Sequence, residues 1–599
     1  MQLNEEQVED RLKFIHDYIA STNAASGSEV DANSNVTNKT VATMEAEMYK
    51  RCTTQLNREL VSKKLEKMFG DGVALDYVCA IDSHTIYVHD ETSLKPYCAS
   101  ITLYPFLLDG TKCMGGVSGA PKNLQSFCGS FVNLVYQVAS NFAGAIATVE
   151  FLHYFDYFAR KEYGKNYLKN HKTEIQQELQ GVVYGLNQPA SARGDQSVFW
   201  NISVFDRPYM QEMFGNFYYP DGTQPDLKSV MKLQMFFMEW FRNERKKELL
   251  TFPVITASLL TTKDGFADPD FRNFLATQMS LGHSFFVYMS DSVDSLASCC
   301  RLRNELADNT FSYSLGAGGV VTGSAQVITL NMNSFVQRHN EIYDSFADFD
   351  NSLREEIDHI HKYLIASKAV YKDYIDAGML PAYTAGFMDI DKQFLTIGVN
   401  GVAEAAEYLG MKVSNNPVYK GWLAHILGIF KEENKKALKE YGCRFNTEFV
   451  PAENLGVKNA KWDKRAGLVV PRDCYNSYFY LVEDENCTIL DKFSLYSHEV
   501  CDCLDGGSAL HLNLEQLPDY HQALKLFEIA RKNGTPYWTF NVLCTICNKC
   551  GYIDPVTRKA CKHCGSENVD YGTRVIGYLK RITNFSDARQ REAARRFYS

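Results

Sequence analysis

Four cysteines near the end of the chain, Cys547, Cys550, Cys561 and Cys564, form two Cys-x-x-Cys pairs, and Arg574-Val575-Ile576-Gly577-Tyr578-Leu579 follows closely. Each pair sets two sulfurs on a tight turn from which both reach one metal, so the four together predict tetrahedral thiolate coordination, usually of zinc. Gly551 and Gly565 directly follow the second cysteine of each pair, where the positive φ open to glycine lets the knuckle close around the sulfur. Cys544 lies three residues before Cys547, but Asn548 rather than glycine follows that pairing, so Cys544 is read as a spare thiol. With four sulfurs used and no position left for water, the metal is expected to be structural. Gly577 suggests a second chemistry. Glycine alone can hold a stable radical at its α-carbon, because without a side chain the centre flattens and the flanking amide and carbonyl delocalise the spin. A lone glycine here is by default a turn, and the radical reading needs a partner cysteine.

Cys299-Cys300-Arg301 precedes a glycine-rich stretch, Gly316-Ala317-Gly318-Gly319, and reactive thiols often sit on such loops. Most unplaced cysteines are instead buried small hydrophobes. The glycines lack a following Gly-Lys-Ser/Thr, so a phosphate loop is weakly indicated there. Cys98, in Pro96-Tyr97-Cys98-Ala99, is unremarkable in isolation.

The chain has 599 residues, 45% hydrophobic and 22% charged, enough for one large core or about three to four domain equivalents. The net charge of -10 argues against a nucleic-acid partner. Seven basic residues between Arg574 and Arg596 suggest a tail that docks on an acidic protein. The N-terminus lacks a signal-peptide profile and no twenty-residue apolar run occurs, so a cytoplasmic protein without a membrane span is expected. Seventeen cysteines in such a chain are metal ligands, reactive groups or filler rather than a disulfide framework.

The elements that must hold these residues alternate between helix and strand. Residues 54–69 read as an amphipathic helix and 121–150 as one long apolar helix with small residues for close packing. Val254–Leu260, Val327–Met332 and Phe394–Val399 are short β-branched runs typical of buried parallel strands. Ser334–Met379 predicts a long helix, Val402–Leu409 and Lys435–Tyr441 shorter ones, and Cys443–Val450 a strand ending in Pro451-Ala452-Glu453-Asn454-Leu455. A loop that leaves a strand's C-terminal end and opens a helix is where α/β folds bind anions. The fold class is α/β.

In order, the chain carries Asn33-Ser34-Asn35-Val36, Tyr87-Val88-His89-Asp90, Cys98, Cys300-Arg301, Val327-Ile328-Thr329-Leu330-Asn331, Pro451 to Leu455, Gly506-Gly507, the cysteine pairs and Arg574 to Leu579. This succession resembles the class III anaerobic ribonucleoside-triphosphate reductases over nearly the whole chain. The resemblance implies a ten-stranded α/β barrel of two half-sheets with a central finger loop, over 1–540, then a zinc-binding module over 541–570. A glycyl radical loop and tail over 571–599 would complete it, in a homodimer.

The resemblance also implies roles. Gly577 is similar to the stored glycyl radical, made by a radical-SAM activating protein with a 4Fe-4S cluster. Cys300 matches the finger-loop cysteine that becomes a thiyl radical and takes the ribose 3′-hydrogen. Cys98 matches the second cysteine, on the opposite face of the sugar. Pro451, Ala452, Glu453, Asn454 and Leu455 resemble the loop that holds the substrate triphosphate. Ser324 stands where many members have asparagine, which alters a polar contact to sugar or reductant. The reductant is formate or a thioredoxin-type dithiol protein. Family sequence already starts near Asn33, so no ATP/dATP on-off control through an N-terminal cone is expected, whereas dNTP/ATP control of specificity is. The alternatives are a pyruvate formate-lyase-type glycyl radical enzyme, suggested by adjacent Cys299 and Cys300, and a non-catalytic zinc-ribbon interaction protein. Against the first stands the zinc module, which the acyl-transferring relatives lack.

Overall fold

The computed structural model describes residues 3–599 except 29–35, 37, 190–195, 293–294, 299–301, 306–320, 340–344, 450–453, 505 and 576. In chain order the strands begin with β1 (Ile86–Val88), β2 (Cys98–Ser100), β3 (Ile146–Ala147) and β4 (Trp200–Phe205). They continue with β5 (Val254–Thr262), the short β6 (Gly265–Phe266) and β7 (Phe286–Ser290). β2, β3, β4, β5 and β7 pair in that order, each parallel to the next. Next come β8 (Ser295–Ser298) and β9 (Leu302–Glu305), an antiparallel pair of their own.

A second parallel set follows: β10 (Thr322–Asn331), β11 (Phe394–Asn400) and β12 (Phe445–Glu448), then β13 (Leu510–Asn513) and β14 (Tyr537–Asn541). The two sets meet antiparallel twice, β10 against β2 and β14 against β7. A parallel bridge between Glu448 and Gly507 brings β12 beside the start of β13 and closes a barrel of ten strands. Glycine makes the closure possible. A Cβ on Gly506 would lie 2.9 Å from the Thr447 carbonyl oxygen, and Gly507 has φ +88°. The two half-sheets expected from the sequence are therefore present. All ten residues of β10 are buried, as a strand covered on both faces requires.

Three local expectations change. The apolar stretch 121–150 is not one helix. The helix Leu124–Ala139 stops, and Ile146–Ala147 becomes a barrel strand. The small residues between serve strand approach rather than helix packing, since the Gly144 amide donates to the Tyr97 carbonyl and a Cβ there would come within 2.9 Å of that oxygen. Ser334–Met379 divides into helices Met332–Arg338 and Phe346–Asp376. The basic tail docks on its own chain: Arg591 and Arg595 pair with Asp473 at 2.9 and 2.6 Å. Among the described residues no helix is long and apolar enough to cross a membrane.

Candidate active site

After β14 the chain builds a small sheet from β15 (Cys544–Cys547), β16 (Ile553–Asp554), β17 (Val569–Arg574) and β18 (Leu579–Arg581), ordered β16-β15-β17-β18. The sulfurs of Cys547, Cys550, Cys561 and Cys564 lie within 4.8 Å of one another. The knuckles have the anticipated backbone: Gly551 has φ +75° and Gly565 φ +71°, with nothing among the described residues within 4 Å of a Cβ at either, so conformation rather than space selects glycine. The amides of Cys550 and His563 point at the Cys547 and Cys561 sulfurs, at 3.4 and 3.3 Å. Four thiols gathered with amide donors suit a tetrahedral thiophilic metal. Cys544 stays outside the cluster, buried against Gly572, and burial pushes its thiol up to about 12.

The cluster is wired to the glycine. β15 pairs with β17, β17 pairs with β18, and Arg574 opposite Leu579 is their last register pair, so Gly577 lies in the turn that links β17 to β18. Arg574 fixes that turn: its Nη1 donates to the Gly577 carbonyl at 2.9 Å and its Nη2 to the Ser284 hydroxyl at 2.7 Å. Its guanidinium lies 4.4 Å from the centre of the Phe286 ring. Gly577 does not have a positive φ, and a Cβ built on it meets nothing within 4 Å among the described residues. Among the described residues neither backbone strain nor crowding demands glycine here.

The next residue leads inward. The Tyr578 ring centroid lies 5.1 Å from Phe199 and 6.0 Å from Phe252. Phe199 and Tyr97 pack on a small cluster of Cys98, Ala145 and Ala147, separate from the large core that includes Ala99 and Ile146. Alternation along β2 and β3 sends these neighbouring residues to opposite faces. Cys98 is 0% exposed and stands opposite Ser324 in the β2/β10 joint. A Cβ on Gly323 would come within 2.4 Å of the Cys98 carbonyl oxygen, so glycine permits this joint. The Ser324 hydroxyl is 2.7 Å from that of Thr396 and donates to the Gln326 carbonyl. Two expected site residues from distant parts of the sequence are thus neighbours.

β8 lies within contact distance of β4, β5 and β7, and Ser298 stands opposite Leu302. Cys299, Cys300 and Arg301, which join β8 to β9, lie outside the described residues, as do Pro451, Ala452 and Glu453. Asn454 and Leu455 are described: Asn454 is the N-cap of the helix Leu455–Arg465, just beyond the end of β12. Asn331, at the end of β10, and Asn333, in the helix that follows it, donate to the two carboxylate oxygens of Asp463, each at 2.8 Å, while Tyr475 adds a third bond at 2.6 Å. Asn459 donates to Asn400 at the end of β11. This buried network holds the helix over the strand ends.

Sequence reasoning missed Gln393, whose side chain donates to the Cys98 carbonyl at 2.8 Å and accepts from Tyr383. It also missed Phe199 and the Asp463 network. An aromatic residue before a strand and an aspartate in a helix carry no local signal.

The chain matches the family model for anaerobic ribonucleoside-triphosphate reductase over residues 45–598. No curated protein matches it in sequence. Among solved structures it is similar to an anaerobic ribonucleotide reductase at 27% identity, TM-score 0.86, covering 99% of this chain and 93% of that one. The Thermotoga maritima enzyme with dATP in its specificity site matches at 27% identity and TM-score 0.83, covering 97% and 94%. Its complex with dATP and CTP matches at 26% identity and TM-score 0.82, covering 99% and 100%.

Proposed function

Since the chain belongs to the anaerobic ribonucleoside-triphosphate reductase family and is an oxidoreductase that reduces ribonucleotides anaerobically, we propose that it stores a radical at Gly577 and uses it at Cys300. One observation supports this reading: among the described residues nothing about 577 gives glycine a steric or conformational need, which leaves the chemistry of a bare α-carbon.

A radical-SAM activating protein removes one α-hydrogen from Gly577. The Cys300 thiol then gives its hydrogen atom to that carbon, restoring glycine and leaving a thiyl radical. The thiyl takes the 3′-hydrogen of the substrate ribose, and the 2′-hydroxyl departs as water after gaining a proton. Two electrons from formate, which leaves as carbon dioxide, or from a dithiol that closes to a disulfide, reduce the sugar. Those electrons arrive in two steps: Cys98 gives its hydrogen atom to the opposite face and regains one from the reductant, whose second electron then reduces the sugar, and Cys300 finally returns the 3′-hydrogen and regains its radical. Ser324, opposite Cys98, is the proposed polar contact to sugar or reductant.

The substrates are ribonucleoside triphosphates, held by Pro451, Ala452, Glu453, Asn454 and Leu455 through backbone amides at the helix start. Binding of dATP and CTP by the Thermotoga maritima enzyme supports dNTP or ATP effectors here. A cytoplasmic homodimer completes the reading. Cys547, Cys550, Cys561 and Cys564 would hold zinc, which supplies structure rather than acid–base chemistry when bound.

The decisive experiment is electron paramagnetic resonance after anaerobic treatment with activating protein, S-adenosylmethionine and a reductant. A doublet that collapses when glycine is deuterated is expected; its absence from fully activated protein that still makes deoxynucleotide would reject the reading. Cys547→Ser is expected to lose bound metal and with it radical accumulation, because β15 templates the hairpin that carries Gly577. Metal analysis and spin counting on the same sample check this. Arg574→Lys removes the fork that polarises the Gly577 carbonyl. One charge-assisted bond is worth about 1.5–3 kcal/mol, so spin per chain should fall by roughly tenfold or more.

A further inference from the structure

The segment after the glycine turn contains the helix Asp587–Arg595, followed by Arg596. Only 2% of the Arg596 side chain is exposed, and its guanidinium works on both edges. Nη1 donates to the Arg574 carbonyl at 2.8 Å and Nη2 to the Val575 carbonyl at 2.9 Å. Nε and Nη2 also grip the two oxygens of Glu592, at 2.8 and 2.9 Å. Arg589 donates to the same carboxylate at 3.3 Å. Burial pushes the Glu592 carboxyl up, but the two guanidiniums outweigh it and hold it below the usual range.

Two further carbonyls of the turn are also taken, Gly577 by Arg574 and Tyr578 by the Val575 amide. Val575 packs with Phe585 and Ala593, so turn and tail share a miniature core. Further along, the Ser599 amide donates to the Asn513 carbonyl at the end of β13. A surface turn would leave its carbonyls to water. Burying a guanidinium and a carboxylate to hold two of them is costly, and it fixes position rather than maximising stability.

We infer that Arg596 is a positioning residue for the radical chemistry: its fork seats the glycine turn against the barrel, and its release frees the turn for the activating protein. The inference rests on Gly577 as the radical site. It assigns to the tail a task distinct from that of the cysteine cluster, which shapes the hairpin from the other side.

The test uses the full chain with its activating protein. Arg596→Lys keeps the charge but not the planar fork. Activation should proceed at least as fast as in the wild type, and air should cleave the activated backbone at Gly577 faster. Deoxynucleotide formed per spin should fall by on the order of tenfold or more, because misplaced reacting groups lose rate steeply. The KM for ribonucleotide should not change. Glu592→Gln, which keeps shape and removes the charge, should move in the same direction and decides the matter if Arg596→Lys does not fold. Wild-type turnover per spin in the folded variants overturns the inference, as does cleavage no faster than in the wild type. A doublet that survived Gly577→Ala would instead remove the reading beneath it, a result neither tail variant can produce.

Discussion

Gly577→Ala is expected to give a protein at least as stable as the wild type and without activity. The added methyl group meets nothing within 4 Å among the described residues, and the backbone at 577 is outside the left-handed region that penalises alanine. At such a position alanine restricts the unfolded chain and stabilises the fold by about 0.4–1 kcal/mol. The melting temperature should therefore hold or rise slightly. Activity should fall by at least about 10⁴-fold, because in the proposed mechanism no other group starts the chain reaction and the uncatalysed reaction is negligible. Radical formation and oxygen cleavage near Tyr578 should vanish with it. Melting curves, spin counting and gel analysis of air-exposed protein check all three. Residual turnover above background in a spin-free sample would end the glycyl mechanism. A strongly destabilised variant would mean that glycine serves the fold.

Cys98→Ala separates storage of the radical from its use. Cys98 is fully buried beside Ala145 and Ala147, so removing its sulfur leaves a small cavity costing roughly 1–2 kcal/mol, which a chain of this size tolerates. Among the described residues the turn at Gly577 reaches that cluster through Tyr578 and Phe199 and does not touch Cys98 itself, so activation should proceed to the wild-type spin count. Deoxynucleotide formation should nonetheless drop by about 10³-fold or more, since the sugar loses the donor on its second face. Normal turnover in this variant would remove Cys98 from the mechanism. Loss of the spin would instead mean that Cys98 lies on the transfer route.

Much of the candidate site was legible because its chemistry is written over short distances. The cysteine pairs, the glycines after them and the Arg574–Leu579 segment fit within a few turns of chain, where spacing fixes geometry. The strands Val254–Leu260 and Phe394–Val399 were legible too, because strands buried on both faces read as unbroken β-branched runs. Ile146–Ala147 was not, since two residues cannot announce a strand and the surrounding alanines and glycine suit a helix equally well. The basic tail misled for a related reason: charge shows that a segment seeks an acid, not whether Asp473 of the same chain provides it.

The sequence by itself determined the α/β class, the family and the grouping of four cysteines, and it singled out Gly577, all of which depend on residue type and local spacing. Only the tertiary structure decided that Ser324 faces Cys98, that Gly506 and Gly507 close the barrel, and that Arg596 holds the turn carrying Gly577. Strand pairing and burial join residues hundreds of positions apart. Their energy depends on which surfaces meet, and no short window of sequence contains both partners.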